Sequence, residues 1–213
     1  MFKKSDFAKS YTVSVYQLKS RFQDLLRPLT GRLARCGVTA NQVTVTAMLI
    51  SVAVGAWLMI TDNKTWFWLI PIWLFIRMAM NAIDGMLARE FNQKSTLGAY
   101  LNEIGDLVSD AALILPFVWI APFQPQWIAV IIVLALLTEI AGLLALSVGA
   151  SRRYDGPMGK SDRALLFGIL GGWLAVDGFL PQWMVWLQAL LIALLLWTIF
   201  NRIRRGFAEA AKG

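Results

Sequence analysis

The chain has 213 residues, 58% of them hydrophobic, with 10 tryptophans, no histidine and a mean hydropathy of +0.59. That composition describes an integral membrane protein, and the length suits one helical domain rather than two. Cys36 is the single cysteine, which excludes an intrachain disulfide and a cysteine–histidine zinc cluster, so any metal must be held by oxygen.

Residues 1–10 are polar and basic, with Lys3, Lys4 and Lys9, and no apolar run follows them as a cleavable signal peptide would require. From Tyr11 to Cys36, Val15, Leu18, Phe22, Leu25, Leu29 and Leu33 recur at helical spacing, with Lys19, Arg21, Arg32 and Arg35 between them. This pattern predicts an amphipathic helix at the headgroup layer, kinked or divided at Pro28. A soluble helix packed on a partner is the alternative.

Six apolar runs follow, at Val43–Ile60, Trp66–Ala88, Gly98–Ala121, Trp127–Gly149, Ala164–Leu180 and Trp183–Phe200. Each is near the ~20 residues that span a bilayer. The expected fold is therefore all-α and integral to the membrane. Six transmembrane helices (43–200) follow an amphipathic juxtamembrane segment (1–42) and precede a basic tail (201–213). Of the 20 Lys and Arg, only Lys64 lies on the charge-poor side and Arg77 lies inside a span, while the remaining 18 share the other side. The positive-inside rule then puts both termini in the cytoplasm of a bacterial-type inner membrane. The net charge of +7 is thus a matter of topology rather than of nucleic-acid binding. Trp66, Trp68, Trp119, Trp127, Trp183 and Trp186 sit near the charge-poor ends as an interfacial belt. Gly168 and Gly172 permit close helix packing, within one chain or between two.

The chemistry concentrates in Asn81–Asp110, which leaves one apolar run and enters the next through a short polar turn. Asn81 and Asp84 are three residues apart, and Asn102, Asp106 and Asp110 are four apart, so each set lines one helix face. Ionisable groups in apolar helices mark functional sites by default, and these oxygen donors suit a hard cation such as Mg²⁺. Arg77 should face Asp110 near mid-membrane, with Glu139 at a similar depth. An unpaired charge there would cost several kcal/mol, so Arg77 is expected to be held by Asp110, Glu139 or both. That group forms either a scaffold or the floor of a polar cavity.

The same stretch resembles the integral-membrane CDP-alcohol phosphotransferases, whose pattern is D-x2-D-G-x2-A-R-x8-G-x3-D-x3-D. At those positions stand Asn81, Asp84, Gly85, Ala88, Arg89, Gly98, Asn102 and Asp106, with every spacing kept and asparagine replacing the first and third aspartates. The resemblance implies a transferase that moves a phosphatidyl-type group from a CDP-linked donor, CDP-diacylglycerol, to an alcohol in phospholipid synthesis, releasing CMP. It places Asp84, Asn81, Asn102 and Asp106 at metal-ligand positions for one or two Mg²⁺ or Mn²⁺ ions, and gives Asp106 the general-base role. Gly85, Ala88, Arg89 and Gly98 fall to the nucleotide, together with Asn41 and Thr44, for which a helix cap is the plainer explanation. Lys160, in a Gly-Lys element after the fourth span, would face a phosphate on donor or acceptor beside Arg163, Arg152 and Arg153. Positive-inside topology would place basic residues there in any case, so a phosphorylated acceptor is only a preference. The resemblance also implies a homodimer.

Two carboxylates and two amides offset about half the charge of four carboxylates, and an amide oxygen coordinates more weakly. Three readings of the site follow: a catalyst with one firm metal, a second metal recruited with the substrate's phosphates, or a nucleotide-lipid binder without turnover. Glu103 and Asp110 are the nearest additional carboxylates. A small transporter or scaffold is the alternative from another class.

Overall fold

The computed structural model describes the backbone of residues 5–211 and the side chains of residues 20–211. Lys3, Lys4 and Lys212, and the side chains of Lys9, Val15, Leu18 and Lys19, lie outside the described residues. Seven α-helices form: α1 (Ser5–Arg35), α2 (Ala40–Ile60), α3 (Leu69–Glu90), α4 (Thr96–Ile114), α5 (Pro125–Leu144), α6 (Lys160–Asp177) and α7 (Val185–Ala210). Among the described residues there is no strand. Helix α1 runs through Pro28 without being divided there, which corrects one half of the expectation for that residue.

Two compact units make up the chain, Met1–Ala47 with Arg77–Asn102, and Met48–Ile76 with Glu103–Gly213. In the first, α1 ends where Gly37 takes a left-handed φ of 79°, and Val38 N–H closes the turn on the Leu33 carbonyl. Thr39 then caps α2: Thr39 N–H donates to Gln42 Oε1 at 2.9 Å, and Gln42 N–H donates to Thr39 Oγ1 at 3.2 Å. This reciprocal box satisfies two helix-end donors and leaves Asn41 and Thr44 for other work. The polar turn after α3 is tied back by Gln93, whose Oε1 accepts from Ala40 N–H at 2.7 Å. Arg27 reaches Glu90 at the end of α3 through two hydrogen bonds of 3.1 and 3.2 Å. Ala40, Val43, Ile83, Met86 and Leu87 form the core beneath these ties.

The second unit is organised round Phe117, whose ring packs edge-on against Phe67 (5.6 Å) and Phe167 (5.1 Å). Pro116 ends α4 early, because residues Leu115–Trp119 of the expected third span form a 3₁₀ turn. Close helix approach is carried by Gly55 and Gly171 rather than by the Gly168–Gly172 pair. A Cβ at Gly55 would fall 2.2 Å from the Ala112 carbonyl oxygen, and one at Gly171 would fall 3.0 Å from Ile70 Cβ. Gly168 and Gly172 meet Leu74, Trp68 and Pro71 at ordinary van der Waals distance within the chain. Helix α7 continues through Ala210, so most of the expected basic tail is helix, and buried Arg202 belongs to its inner face.

Among the described residues, four helical stretches are long and apolar enough to cross a bilayer: Ala40–Ile60, Lys64–Glu90, Pro125–Val148 and Gln182–Ala210. Helices α4 and α6, expected as the third and fifth spans, fall short of that measure. The first carries Glu103, Asp106 and Asp110, and the second opens with Lys160, Asp162 and Arg163. The six tryptophans of the predicted belt are exposed on the protein surface.

Candidate active site

In the first unit, α3 carries Asn81, Asp84, Gly85, Ala88 and Arg89 over its last turns, and α4 opens with Gly98 and Asn102. Asp84 is 6% exposed. The Thr44 hydroxyl lies 2.8 Å from Asp84 Oδ2 and 3.1 Å from the Ala40 carbonyl oxygen, so its one proton serves either acceptor. Thr44 is therefore a partner of the buried carboxylate, not a cap. Asn41 approaches Gly98 so closely that a Cβ there would stand 2.7 Å from Asn41 Oδ1. Gly85 lies under the guanidinium of Arg89, with its Cβ position 3.1 Å from both Arg89 Nη atoms. Both glycines thus give room to polar side chains of the motif itself. Asn81 and Asn102 are half-buried, and Arg77 is buried.

The second unit holds a ladder of ion pairs along α4. Glu103, Asp106 and Asp110, at i, i+3 and i+7, lie along one helix face. Each meets a cation from the 152–163 stretch. Arg152 makes a two-pronged contact with Glu103, its Nη2 at 2.8 Å from Oε2. The Lys160 ammonium contacts Asp106 Oδ2. Arg163 Nη2 stands 2.9 Å from Asp110 Oδ2 and 3.1 Å from Glu139 Oε1. Arg202 reaches the other oxygen of Glu139 at 3.3 Å and donates to the Thr138 carbonyl. Gly142 makes space for this crossing, because a Cβ there would stand 2.5 Å from the Arg153 carbonyl oxygen and 3.2 Å from Arg202 Nη1.

These placements bear on two of the sequence expectations. Arg163, grouped with Lys160 as a phosphate-facing cation, is only 3% exposed and is engaged by Asp110, Glu139, Thr138 and the Met158 carbonyl. Charges brought out of water this way must compensate one another closely, and Arg163 is buried against the chain's own acids. Asp110 and Glu139, expected beside Arg77, also meet Arg163 and Arg202, two cations the sequence reading had not paired with them. Arg202 was missed, although its signal was present: Gln188, Leu191, Leu195, Thr198, Arg202 and Gly206 are all buried, at spacings of three or four. Arg153 turns away from the ladder to Asp155 (2.7 Å) and Glu209. Burial raises the Asp155 carboxyl, but the guanidinium groups of Arg153 and Arg205 outweigh it and hold the group below its ordinary range.

The donors present are all oxygen, as a hard divalent cation prefers. Among the described residues no three acidic, cysteine or histidine side chains cluster as a metal site. The motif's oxygen donors are Asp84 with the amides of Asn81 and Asn102 in the first unit, and Asp106 in the second.

Helices long and apolar enough to cross a bilayer, one of them carrying the buried carboxylate of Asp84 and the half-buried amide of Asn81 near its end, define a multi-pass membrane protein with a polar site. Residues 37–199 match the model of the CDP-alcohol phosphatidyltransferase family, and the chain belongs to that family. It is 48% identical over 195 residues to the inner membrane protein YnbA of Escherichia coli (strain K12), covering 90% of this chain and 96% of that one. It is 28% identical over 171 residues to the phosphatidylinositol phosphate synthase of Mycobacteroides abscessus, covering 78% and 75%. The fold is similar to that of Mycobacterium tuberculosis phosphatidylinositol phosphate synthase (PgsA1) in complex with manganese and citrate. That match has a TM-score of 0.69 and 19% identity, over 84% of this chain and 88% of the other. The same enzyme with CDP-DAG bound gives a TM-score of 0.65 and 19% identity, over 86% and 92%.

Proposed function

We propose that this protein transfers a phosphatidyl-type group from CDP-diacylglycerol to an alcohol at the cytoplasmic face of the bacterial inner membrane, in phospholipid synthesis. In this reading the hydroxyl oxygen of the acceptor attacks the lipid-side phosphorus, the bond from that phosphorus to CMP breaks, and CMP leaves with the electron pair. Asp106 takes the proton of the hydroxyl, which requires hydrogen-bond reach of it. Asn41, Thr44, Gly85, Ala88, Arg89 and Gly98 bind the cytidine diphosphate part. Arg152, Arg153 and Lys160 are the cations for a phosphorylated acceptor. Asp84, Asn81, Asn102 and Asp106 would hold Mg²⁺ or Mn²⁺, which supplies charge stabilisation for phosphoryl transfer. Arg77, Asp110, Glu139 and Arg163 form the scaffold.

In the same reading α4 and α6 also cross the membrane, giving six spans with both termini cytoplasmic. Their charges are neutralised in the ladder, which removes most of the cost of placing them at depth. A homodimer is the expected assembly.

The observation that carries the proposal is the engagement of Asp84 by Thr44 within an Asn81–Asp106 element whose spacings are all kept. Thr44 is thereby explained as part of the site rather than as a helix end. The test is CMP release from CDP-diacylglycerol with a pool of alcohols, under Mg²⁺, Mn²⁺ or EDTA, beside an Asp106→Asn variant. Metal-dependent CMP that disappears in the variant supports the transferase. CDP-diacylglycerol that raises the melting temperature without CMP under any metal favours the second reading, a CDP-lipid binder. The two asparagines and the Lys160–Asp106 contact favour that reading.

A further inference from the structure

The first rung of the ladder joins Arg152 to Glu103, and both residues belong to the second unit. The backbone that carries Arg152 is fixed on either side. Ser151 N–H and its hydroxyl meet the Glu209 carboxylate at 2.9 and 3.0 Å, and Arg153 N–H donates to the Gly142 carbonyl at 3.1 Å. The guanidinium is fixed as well. Both Nη atoms of Arg152 donate to the Glu103 carboxylate, and its central carbon lies 4.9 Å from the centre of the Tyr154 ring. A cation held in this way has little freedom left to lose when it receives an anion.

Stability gives only a weak reason for that much fixing. The Arg152 and Glu103 side chains are 24% and 23% exposed, against 3% for Arg163. A partly exposed pair contributes little to folding. The next residue, Arg153, is the one that fastens the loop, through Asp155 and through Glu209 near the end of α7. Arg152 instead turns its fork to α4. A planar pair of N–H donors matches a carboxylate and a phosphate equally well in shape, so the place where Glu103 sits is also a place for phosphate. The two differ in charge: a phosphate monoester carries about two negative charges and a third terminal oxygen, and Glu103 carries one charge.

We infer that Glu103 is an internal stand-in for substrate: its carboxylate occupies the Arg152 fork that receives the phosphate of a soluble phosphate-monoester alcohol, and it leaves when that phosphate arrives. The inference rests on the proposed reading of Arg152 as a cation for a phosphorylated acceptor. An internal carboxylate competes at an effective concentration of roughly millimolar order or above. A neutral alcohol or a carboxylate ligand does not displace it, and a phosphate dianion does. Glu103 thereby sets the acceptor class and keeps Arg152 oriented in the empty site.

The experiment titrates methyl phosphate into the full-length protein in detergent, at constant ionic strength with EDTA present, and follows binding by phosphorus NMR. Wild type, Glu103→Gln, Glu103→Ala and Arg152→Met are compared, each with its melting temperature recorded. The expected result is affinity about fivefold tighter than wild type in Glu103→Gln, because the fork is no longer occupied. Glu103→Ala gives the same direction should the glutamine variant fail to fold, and Arg152→Met binds at least about tenfold more weakly than wild type. A repeat in bilayer discs of zwitterionic lipid, with and without phosphatidic acid, is expected to leave the affinity unchanged. Loss of methyl phosphate binding to phosphatidic acid gives the fork to a lipid headgroup and overturns the inference. Equal or weaker binding in the folded Glu103 variants, with Arg152→Met still impaired, overturns the inference and leaves the phosphorylated-acceptor reading standing. No binding by folded wild type or folded Glu103 variants, or binding unaffected by Arg152→Met, overturns both.

Discussion

The Thr44 hydroxyl stands 2.8 Å from Asp84 Oδ2, joining the first turn of α2 to the last turns of α3 beneath the polar turn. A hydrogen bond to a buried charged group is worth about 1.5–3 kcal/mol, and leaving the acceptor unsatisfied forfeits it. Thr44→Val should therefore destabilise the protein by about 2 kcal/mol and reduce binding of CDP-diacylglycerol, while Thr44→Ser stays near wild type. Thermal melts with and without the lipid check both effects. Equal melting temperatures for Thr44→Val and wild type would remove the contact from the account.

Arg163 is shared by two acids in a dry part of the second unit. Removing one partner of a buried charged cluster costs about 3–5 kcal/mol, because the remaining charges keep their desolvation penalty. Arg163→Met is expected to lower the melting temperature severely. Arg152→Met, whose pair with Glu103 is partly exposed, should cost about 1 kcal/mol or less. A reversed ranking would show that Arg163 faces substrate rather than scaffold.

Gly171 and Gly168 lie one turn apart on α6 but differ in clearance. A Cβ at position 171 meets Ile70 Cβ at 3.0 Å and the Phe67 carbonyl oxygen at 3.2 Å, whereas at 168 the nearest atom is 3.6 Å away. Overpacking costs about 1–3 kcal/mol, against a gain of up to ~1 kcal/mol from alanine's helix propensity. Gly171→Ala should destabilise and Gly168→Ala should be neutral or stabilising, measured side by side by thermal unfolding. Destabilisation by Gly168→Ala alone would point to an interface between chains at that face.

Asp155 lies in the connection before α6, between Arg153 and Arg205. Its folded carboxyl is held below the ordinary value, so the ionised form is the one the fold prefers. Its contribution is complete above the unfolded value near ~4 and is lost as pH falls through the lower folded value. Asp155→Asn should thus lower the melting temperature at neutral pH and converge on wild type as pH falls through the folded value. A constant gap between the two down to the acid limit would contradict the assignment.

The local features of this protein were legible in the sequence because they obey helical periodicity. Most apolar runs became helices near their expected positions, and the three-residue and four-residue spacings of Asn81–Asp84 and Asn102–Asp106–Asp110 set those residues on common faces. Even the buried register of α7 through Arg202 was encoded in the 3–4 spacing, but it was hidden by reading the first arginine after an apolar run as the end of the helix. Which cation meets which acid was a different kind of question. Arg152, Lys160 and Arg163 reach Glu103, Asp106 and Asp110 because the chain after α5 folds back, with Arg153 N–H donating to the Gly142 carbonyl at 3.1 Å, before α6 begins. Long side chains follow the path of the backbone that carries them, and that path is set by contacts many residues apart. The sequence by itself therefore determined the helices, the faces on which the polar residues lie and the family. Only the tertiary structure decided that Arg163 is buried against Asp110 and Glu139, that Gly171 and not Gly168 is the tight crossing, and that Lys160 meets Asp106.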